Sequence, residues 1–242
     1  MAIFLFTDFG SGDLYVGQVK SVLHTCASGV AVIDLLHEAP AFNARASAHL
    51  LAALTGRVPA QAVVVAVVDP GVGGARRPVA MHADARWYVG PDNGLLSVIA
   101  ARAQQAEVFS IEWRPSTLST SFHGRDLFAP FASMLASGAS RVEWIKAQAG
   151  LEVRFGGDDS AEVIYVDHFG NAMTGLRAGA VSRERCIEAG GRRLRYARVF
   201  SDMNPNEPFW YENSIGLIEI AGNAASAATV LGLAVGQAVT VV

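Results

Sequence analysis

Val67-Val68-Asp69-Pro70-Gly71-Val72-Gly73-Gly74-Ala75-Arg76 is the stretch on which the reading of this chain turns. A valine-rich run cannot continue as a strand through Asp-Pro-Gly, because proline lacks the ladder donor and glycine favours the turn. A buried strand therefore ends at Val68 and leaves Asp69 where the chain breaks open. That is the place where open α/β sheets hold their ligands.

Outward from this strand the first half of the chain alternates in the βα manner. Ala2–Thr7 reads as a strand, Tyr15–Cys26 as a helix, Val30–Leu35 as a strand and Ala44–Leu54 as a helix. Val63–Val68, Val79–His82, Trp87–Val89 and Glu107–Ile111 read as further strands, with Ser97–Gln104 and Arg125–Ala136 helical. The pattern predicts an α/β sandwich with a mainly parallel sheet over residues 1–157. Gly156-Gly157-Asp158-Asp159-Ser160 is a polar, glycine-rich joint. Beyond it, over 158–242, short apolar runs (Glu162–Val166, Arg193–Phe200, Ile215–Ile220, Ala238–Val242) alternate with turn residues and predict a smaller β-barrel or β-sandwich domain.

Composition limits the function classes. The chain has 242 residues, 51% of them hydrophobic and 17% charged, enough for sizeable cores and for subunit contacts. No apolar stretch approaches the roughly 20 residues of a membrane span. Met1 leads straight into a strand without a basic, cleavable leader, so the cytoplasm is the expected location. A formal net charge of −3 without blocks of like charge gives no footprint for nucleic acid, which leaves a small molecule as the expected partner. Cys26 and Cys186 stand in no ligand spacing and read as two buried thiols.

Several polar clusters sit where elements end. Thr7-Asp8-Phe9-Gly10-Ser11-Gly12-Asp13 follows the first strand. It lacks the Lys-Ser/Thr ending of a phosphate loop, and its carboxylates suit hydroxyls, an ammonium group or a metal ion. On structural grounds alone, Asp8 caps a turn and Asp13 the helix beginning near Leu14. In Ser121-Phe122-His123-Gly124-Arg125-Asp126, Gly124 allows a sharp turn that frees the His123 imidazole; a lone histidine is more often simply packed. His37 follows a strand, and Pro91-Asp92-Asn93-Gly94 is a sound turn signal in its own right. Asp167-His168-Phe169-Gly170-Asn171, Asn213-Ser214-Ile215-Gly216 and Gly222-Asn223-Ala224-Ala225 add an amide and an aromatic beside a carboxylate, a set able to read a purine edge and stack on its face.

Together these segments resemble one family over nearly the whole chain, the S-adenosyl-L-methionine hydroxide adenosyltransferases, relatives of the fluorinating and chlorinating enzymes. The resemblance implies attack of water or hydroxide on the 5′ carbon of S-adenosylmethionine, giving adenosine and L-methionine, with no metal and no cofactor beyond that substrate. It also implies the β-barrel for the smaller domain, and a homotrimer whose sites lie between the N-terminal domain of one subunit and the C-terminal domain of the next. The family's Asp-Arg-His set falls on Asp69, Arg76 and His123. An acid at position 69, where halogenating relatives carry an aromatic residue, and a short turn after Arg76 fit the water-using branch.

By the same resemblance Asp8 takes the ribose hydroxyls, and Asp13, Asp167 and Ser214 the methionine end. Phe42 and Phe169 flank the ligand, while Asn171 and the backbone near Asn223 and Ala224 read adenine. The chain departs from the halogenating relatives in having Ile215, not arginine, after Ser214, and one residue fewer between Asp167 and Asn171. A sulfonium is a good leaving group without protonation, so the chemistry needs an aligned water and a proton acceptor. Two other readings stand beside this one. A metal-dependent phosphohydrolase would gather Asp8, Asp13, Asp69, Asp92 and His123 around a divalent ion, and a regulatory module would bind a nucleoside without turnover.

Overall fold

The computed structural model describes residues 1–138 and 143–242. The chain forms two compact units, one of Met1–Leu51 with Arg57–Gly157 and the other of Ala52–Gly56 with Asp158–Val242.

The first unit carries β1 (Ala2–Thr7), α1 (Leu14–Cys26), β2 (Ala31–Leu36), α2 (Ala44–Thr55), β3 (Val63–Val67), β4 (Pro78–Ala83), β5 (Arg86–Pro91), α3 (Ser97–Arg102), β6 (Ala106–Ile111), α4 (Ala129–Ala136) and β7 (Ile145–Gln148). Its seven strands make one sheet in the order β2-β1-β3-β5-β4-β6-β7. The expected mainly parallel sheet is half right. β1 pairs in parallel with β2 and β3, and β3 with β5, but β4 pairs antiparallel with β5 and β6, and β6 with β7. The reason is local: Asp84 and Ala85 both adopt left-handed backbone, φ 44° and 64°, and make a two-residue turn that can only join antiparallel neighbours.

β3, five valines and alanines buried throughout, lies inside the parallel half, as a strand covered on both faces should. Against it pack α4, through Phe131 and Leu135, and α1, through Val19 and Leu23. The α1 stripe of Val16, Val19 and Leu23 has helical spacing. Cys26 is the last residue of α1 and is exposed, and Cys186 is only half-buried, so the thiols expected to be buried are not. The helix expected from Arg125 begins as a π-helical turn, Gly124–Phe128. Pro130 cannot donate to the carbonyl four residues back and needs room there, and the wider turn supplies it.

The second unit holds β8 (Ser160–Val166), β9 (Ala172–Arg177), β10 (Ile187–Ala189), β11 (Arg192–Leu194), β12 (Pro208–Glu212), β13 (Leu217–Gly222), α5 (Ala227–Leu231) and β14 (Thr240–Val241). They form a four-stranded antiparallel sheet, β12-β13-β9-β8, and a three-stranded one, β11-β10-β14. The expected closed barrel is not found among the described residues: β10, β11 and β14 have two or three residues each and cannot carry a ladder around a circumference. The run expected as a strand over Arg193–Phe200 leaves β11 at Leu194 and meets the β12 ladder through a Tyr196–Trp210 bridge. Trp210, Ile218, Ile220 and Leu194 share one core. Among the described residues no helix is long and apolar enough to cross a membrane.

A Cβ added at Gly90 in β5 would stand 2.2 Å from the Ala66 carbonyl oxygen, so β3 and β5 approach at this point only because the residue is glycine. Gly90→Ala is expected to lower unfolding free energy by roughly 1–3 kcal/mol or more, the range for overpacking a core. Urea unfolding measures it, and an unchanged midpoint would refute the close approach.

Candidate active site

In the sheet order, β1 lies between β2 and β3, so the chain leaves β1 to opposite sides and opens a crevice at the carboxyl ends of β1 and β3. Asp8 stands directly after β1 and Asp69 two residues after β3. The loop from Asp69 returns through Gly71–Gly74 to Arg76. At Gly73, with φ 77°, a Cβ would stand 2.2 Å from the Thr120 carbonyl, so glycine lets this loop lie against the segment that leads to His123.

Arg76 joins the three proposed catalytic residues. Its Nε donates to both Asp69 oxygens at 3.1 and 3.0 Å, its Nη2 donates to Asp69 Oδ2, and Nη2 lies 2.8 Å from His123 Nδ1. The Asp69 and Arg76 side chains are 4% and 10% exposed. A guanidinium only donates, so His123 Nδ1 must carry a lone pair and the neutral ring must hold its proton on Nε2. Burial, and then the Arg76 charge, push the imidazole below the ordinary histidine range.

Asp69 and His123 line a pocket of about 370 Å³ that is also lined by Asp8, Asp13, Phe42 and the rings of Phe9, Tyr15 and Phe122. These three rings pack on one another with centroids 5.4 to 5.8 Å apart. Asp8 Oδ2 accepts the Phe42 N–H at 3.1 Å and so pins a residue with left-handed backbone, φ 60°. Burial raises the Asp8 carboxyl; the Phe42 N–H opposes this, and nearby Asp69 adds to it. Asp13 caps α1 through Leu14 N, as its structural reading requires, and still faces the pocket.

In the second unit, Phe169, Asn171 and Ala224 line a separate hollow together with Phe200 and Ser226. Asp167 is the anchor of this loop: Oδ1 accepts the Phe169 and Asn171 N–H groups, and Oδ2 accepts Asn171 Nδ2 at 3.0 Å. Asn171 therefore keeps its carbonyl oxygen and one of its two amide hydrogens for another partner. The Asn223 side chain is engaged with the Met203 carbonyl. Ser214 is not brought to this hollow. It is exposed in the turn between β12 and β13, while the hollow lies at the other end of β13.

Of the residues of the phosphohydrolase reading, Asp8, Asp13, Asp69 and His123 line this one pocket, and Asp92 does not. Asp92 is fully buried against Arg77, Asp13 caps a helix, and no three His, Cys, Asp or Glu side chains among the described residues group as a metal site. Sequence reasoning passed over Tyr15 and Phe200 as lining residues. Tyr15 was read only as the start of a helix, and Phe200 as the end of a strand; neither carries a motif of its own.

Comparison with known proteins agrees with the layout. Residues 3–145 match the SAM hydroxide adenosyltransferase N-terminal domain and residues 161–240 the SAM hydroxide adenosyltransferase C-terminal domain. The chain is similar to the (R)-S-adenosyl-L-methionine hydrolase of Thermus thermophilus, 39% identical over 98% of each chain. It is also similar to a fluorinase of Actinopolyspora mzabensis, 27% identical over 97% of this chain and 95% of that one. Among solved structures, an uncharacterized conserved protein from Thermotoga maritima superposes with a TM-score of 0.90 at 30% identity, over 99% of both chains.

The Arg76–His123 contact sets a sign for pH. As pH falls through the depressed midpoint, a proton must enter at Nδ1 and face the guanidinium. The His123 imidazole, followed by NMR, is expected to titrate below its ordinary value of 6.5, with the Nε2–H form dominant above the midpoint. Arg76→Leu removes the repelling charge and should move the midpoint up. A midpoint at or above 6.5 that Arg76→Leu leaves unchanged would overturn this geometry.

Proposed function

The chain belongs to the SAM hydroxide adenosyltransferase family, and from that premise we propose that it hydrolyses S-adenosyl-L-methionine at the ribose 5′ carbon, giving adenosine and L-methionine. The observation that carries this reading is the Asp69–Arg76–His123 contact set at the edge of an acid-lined pocket. The name of the hydrolase relatives extends the proposal to the (R) configuration at sulfur.

With Nδ1 occupied by Arg76, His123 cannot take the water's proton at that nitrogen, and Nε2–H can only donate. His123 therefore holds the oxygen nucleophile by a hydrogen bond, and Asp69 is the proton acceptor of the set. Arg76 leaves the carboxylate room for this: it makes one contact to Asp69 Oδ1 and two to Oδ2, which leaves Oδ1 an acceptor position for the nucleophile's proton. The thioether leaves without protonation, so catalysis consists of holding water in line with the C–S bond and removing its proton. Asp8 receives the ribose hydroxyls and Asp13 the methionine end.

The adenine-reading group of Phe169, Asn171 and the backbone at Asn223 and Ala224 belongs to the second unit, as do the remaining methionine contacts, Asp167 and Ser214. A homotrimer in which the first unit of one subunit completes its site with the second unit of the next is the assembly we propose. It is supported by two large rings left in water on separate half-sites, Phe42 at 78% and Phe169 at 75% exposure.

Purified protein supplied with S-adenosylmethionine in ¹⁸O-water is expected to place the label in the adenosine 5′-hydroxyl, with and without chelator. Binding without turnover would leave only a nucleoside-binding module, and activity that vanishes with chelator and returns with a divalent ion would restore the phosphohydrolase chemistry. Asp69→Asn should reduce turnover by roughly 10²–10⁴ with substrate still bound.

The shared site has its own test. Mixing Asp69→Asn protein with Asn171→Ala protein, under conditions where subunits are seen to exchange, should recover activity that neither has alone. Exchange without recovery would place each whole site in one chain.

A further inference from the structure

The Pro91-Asp92-Asn93-Gly94 turn is not part of the pocket, yet it grips the catalytic loop at both of its ends. β5 lies between β3, which runs out to Asp69, and β4, which begins just after Arg76 and Arg77. The turn at the end of β5 therefore sits between the departing and returning arms of the Asp69–Arg76 loop. On the departing side, Asn93 Nδ2 donates to the carbonyl of Val68, the residue before Asp69, at 2.7 Å. On the returning side, the Asp92 N–H donates to the Arg77 carbonyl at 2.8 Å, and Arg77 Nη2 donates to Asp92 Oδ2 at 2.8 Å. Arg77 is the residue after Arg76.

The rest of the turn is over-determined in a way that a simple loop does not need. The Asp92 side chain is 0% exposed and also accepts the Glu152 N–H on both oxygens, while Arg77 Nη1 reaches Gln148 Oε1 at 2.8 Å. Asn93 Oδ1 accepts the Leu95 N–H, which fixes the amide so that its donor end faces Val68. A buried carboxylate paired with an arginine gains little net stability over an apolar pair of the same shape, so its use here is positional.

We propose that Asp92 and Asn93 are positioning residues that set the separation of Asp69 from Arg76, and through Arg76 the placement of His123. This rests on the hydrolase reading for its kinetic part only. Neither residue touches the pocket, so their loss should act on turnover and not on substrate affinity. A displacement of about 1 Å between reacting groups lowers rate by about 10²-fold.

The test uses two near-isosteric variants of the full chain. Asn93→Asp keeps the acceptor for Leu95 N–H but sets an oxygen against the Val68 carbonyl; Asp92→Asn keeps the acceptor for Glu152 N–H but loses the charge facing Arg77. Each is expected to lower kcat about 10- to 100-fold with substrate affinity by calorimetry unchanged within twofold. In an Asp69→Asn background the further loss should be under twofold, since residues acting as one unit are not additive. Independently of activity, the His123 NMR titration midpoint should move in both variants. If Asn93→Asp does not fold, Asp92→Asn alone decides. Folded variants with wild-type kcat, fully additive losses with Asp69→Asn, or an unmoved His123 midpoint would each overturn the proposal. Parent protein that never turns over S-adenosylmethionine would instead defeat the hydrolase reading and leave the His123 readout to judge the positioning.

Discussion

The Arg76 guanidinium is the constraint on which the site depends. It is nearly buried, stacked 5.6 Å over the Phe128 ring, and shared between a carboxylate and an imidazole. Because it has five donors and no acceptor, one group decides two things at once: where Asp69 points, and which nitrogen of His123 carries the proton. Burying such a pair costs solvation that its mutual attraction roughly returns. The fold keeps the pair for what it orients, and removing either partner would leave an uncompensated charge in the wall of the pocket.

Topology delivers these groups from distant parts of the chain. Asp8 and Asp69 come from the two strands on either side of the switch point between β1 and β3. His123 stands immediately before the π-helical turn Gly124–Phe128, and Gly73 allows the two loops to close on one another. The antiparallel half of the sheet has a part too. It brings β4 back beside β5, so that the Arg76 end of the loop is tied to the same strand as the Asp69 end.

What was legible from residues alone follows the strength of the local rule. Asp-Pro-Gly after a valine run can only be a strand end, and Asp13 before Leu14 can only be a cap, so the positions of Asp69 and Asp13 were readable. The β4–β5 hairpin was not, because Asp84-Ala85 lacks the glycine or asparagine that usually marks a left-handed two-residue turn. Turn spacing reports that strands are short and not whether they close into a ring, so barrel and sandwich both fit the spacing and only the strand pairing separates the second unit into two sheets. Asn171 was read as an amide facing adenine. One of its two amide hydrogens is held by Asp167, a pairing four residues apart that depends on the path of the turn. Similarly, Pro91–Gly94 reads as an ordinary turn, and its grip on Val68 and Arg77 exists only once β3, β5 and β4 lie side by side.

Differential binding places a limit on how the pocket's acids can be used. Attack at the 5′ carbon draws positive charge away from sulfur, so a carboxylate close to the sulfonium would hold the ground state more firmly than the transition state and slow the reaction. Asp8 and Asp13 help only if they are spent elsewhere, on ribose hydroxyls and on the ammonium group, whose charges do not change during the step. As the proposed proton acceptor, Asp69 is the exception that the chemistry allows, since it would lose negative character by accepting the water's proton as the sulfonium loses its positive character. The Arg76 charge beside Asp69 favours the carboxylate and so opposes its protonation before the nucleophile has begun to lose its proton to it. After the step the sulfonium is a neutral thioether, the electrostatic attraction of the acid wall for it is gone, and the products leave a pocket shaped for a cation.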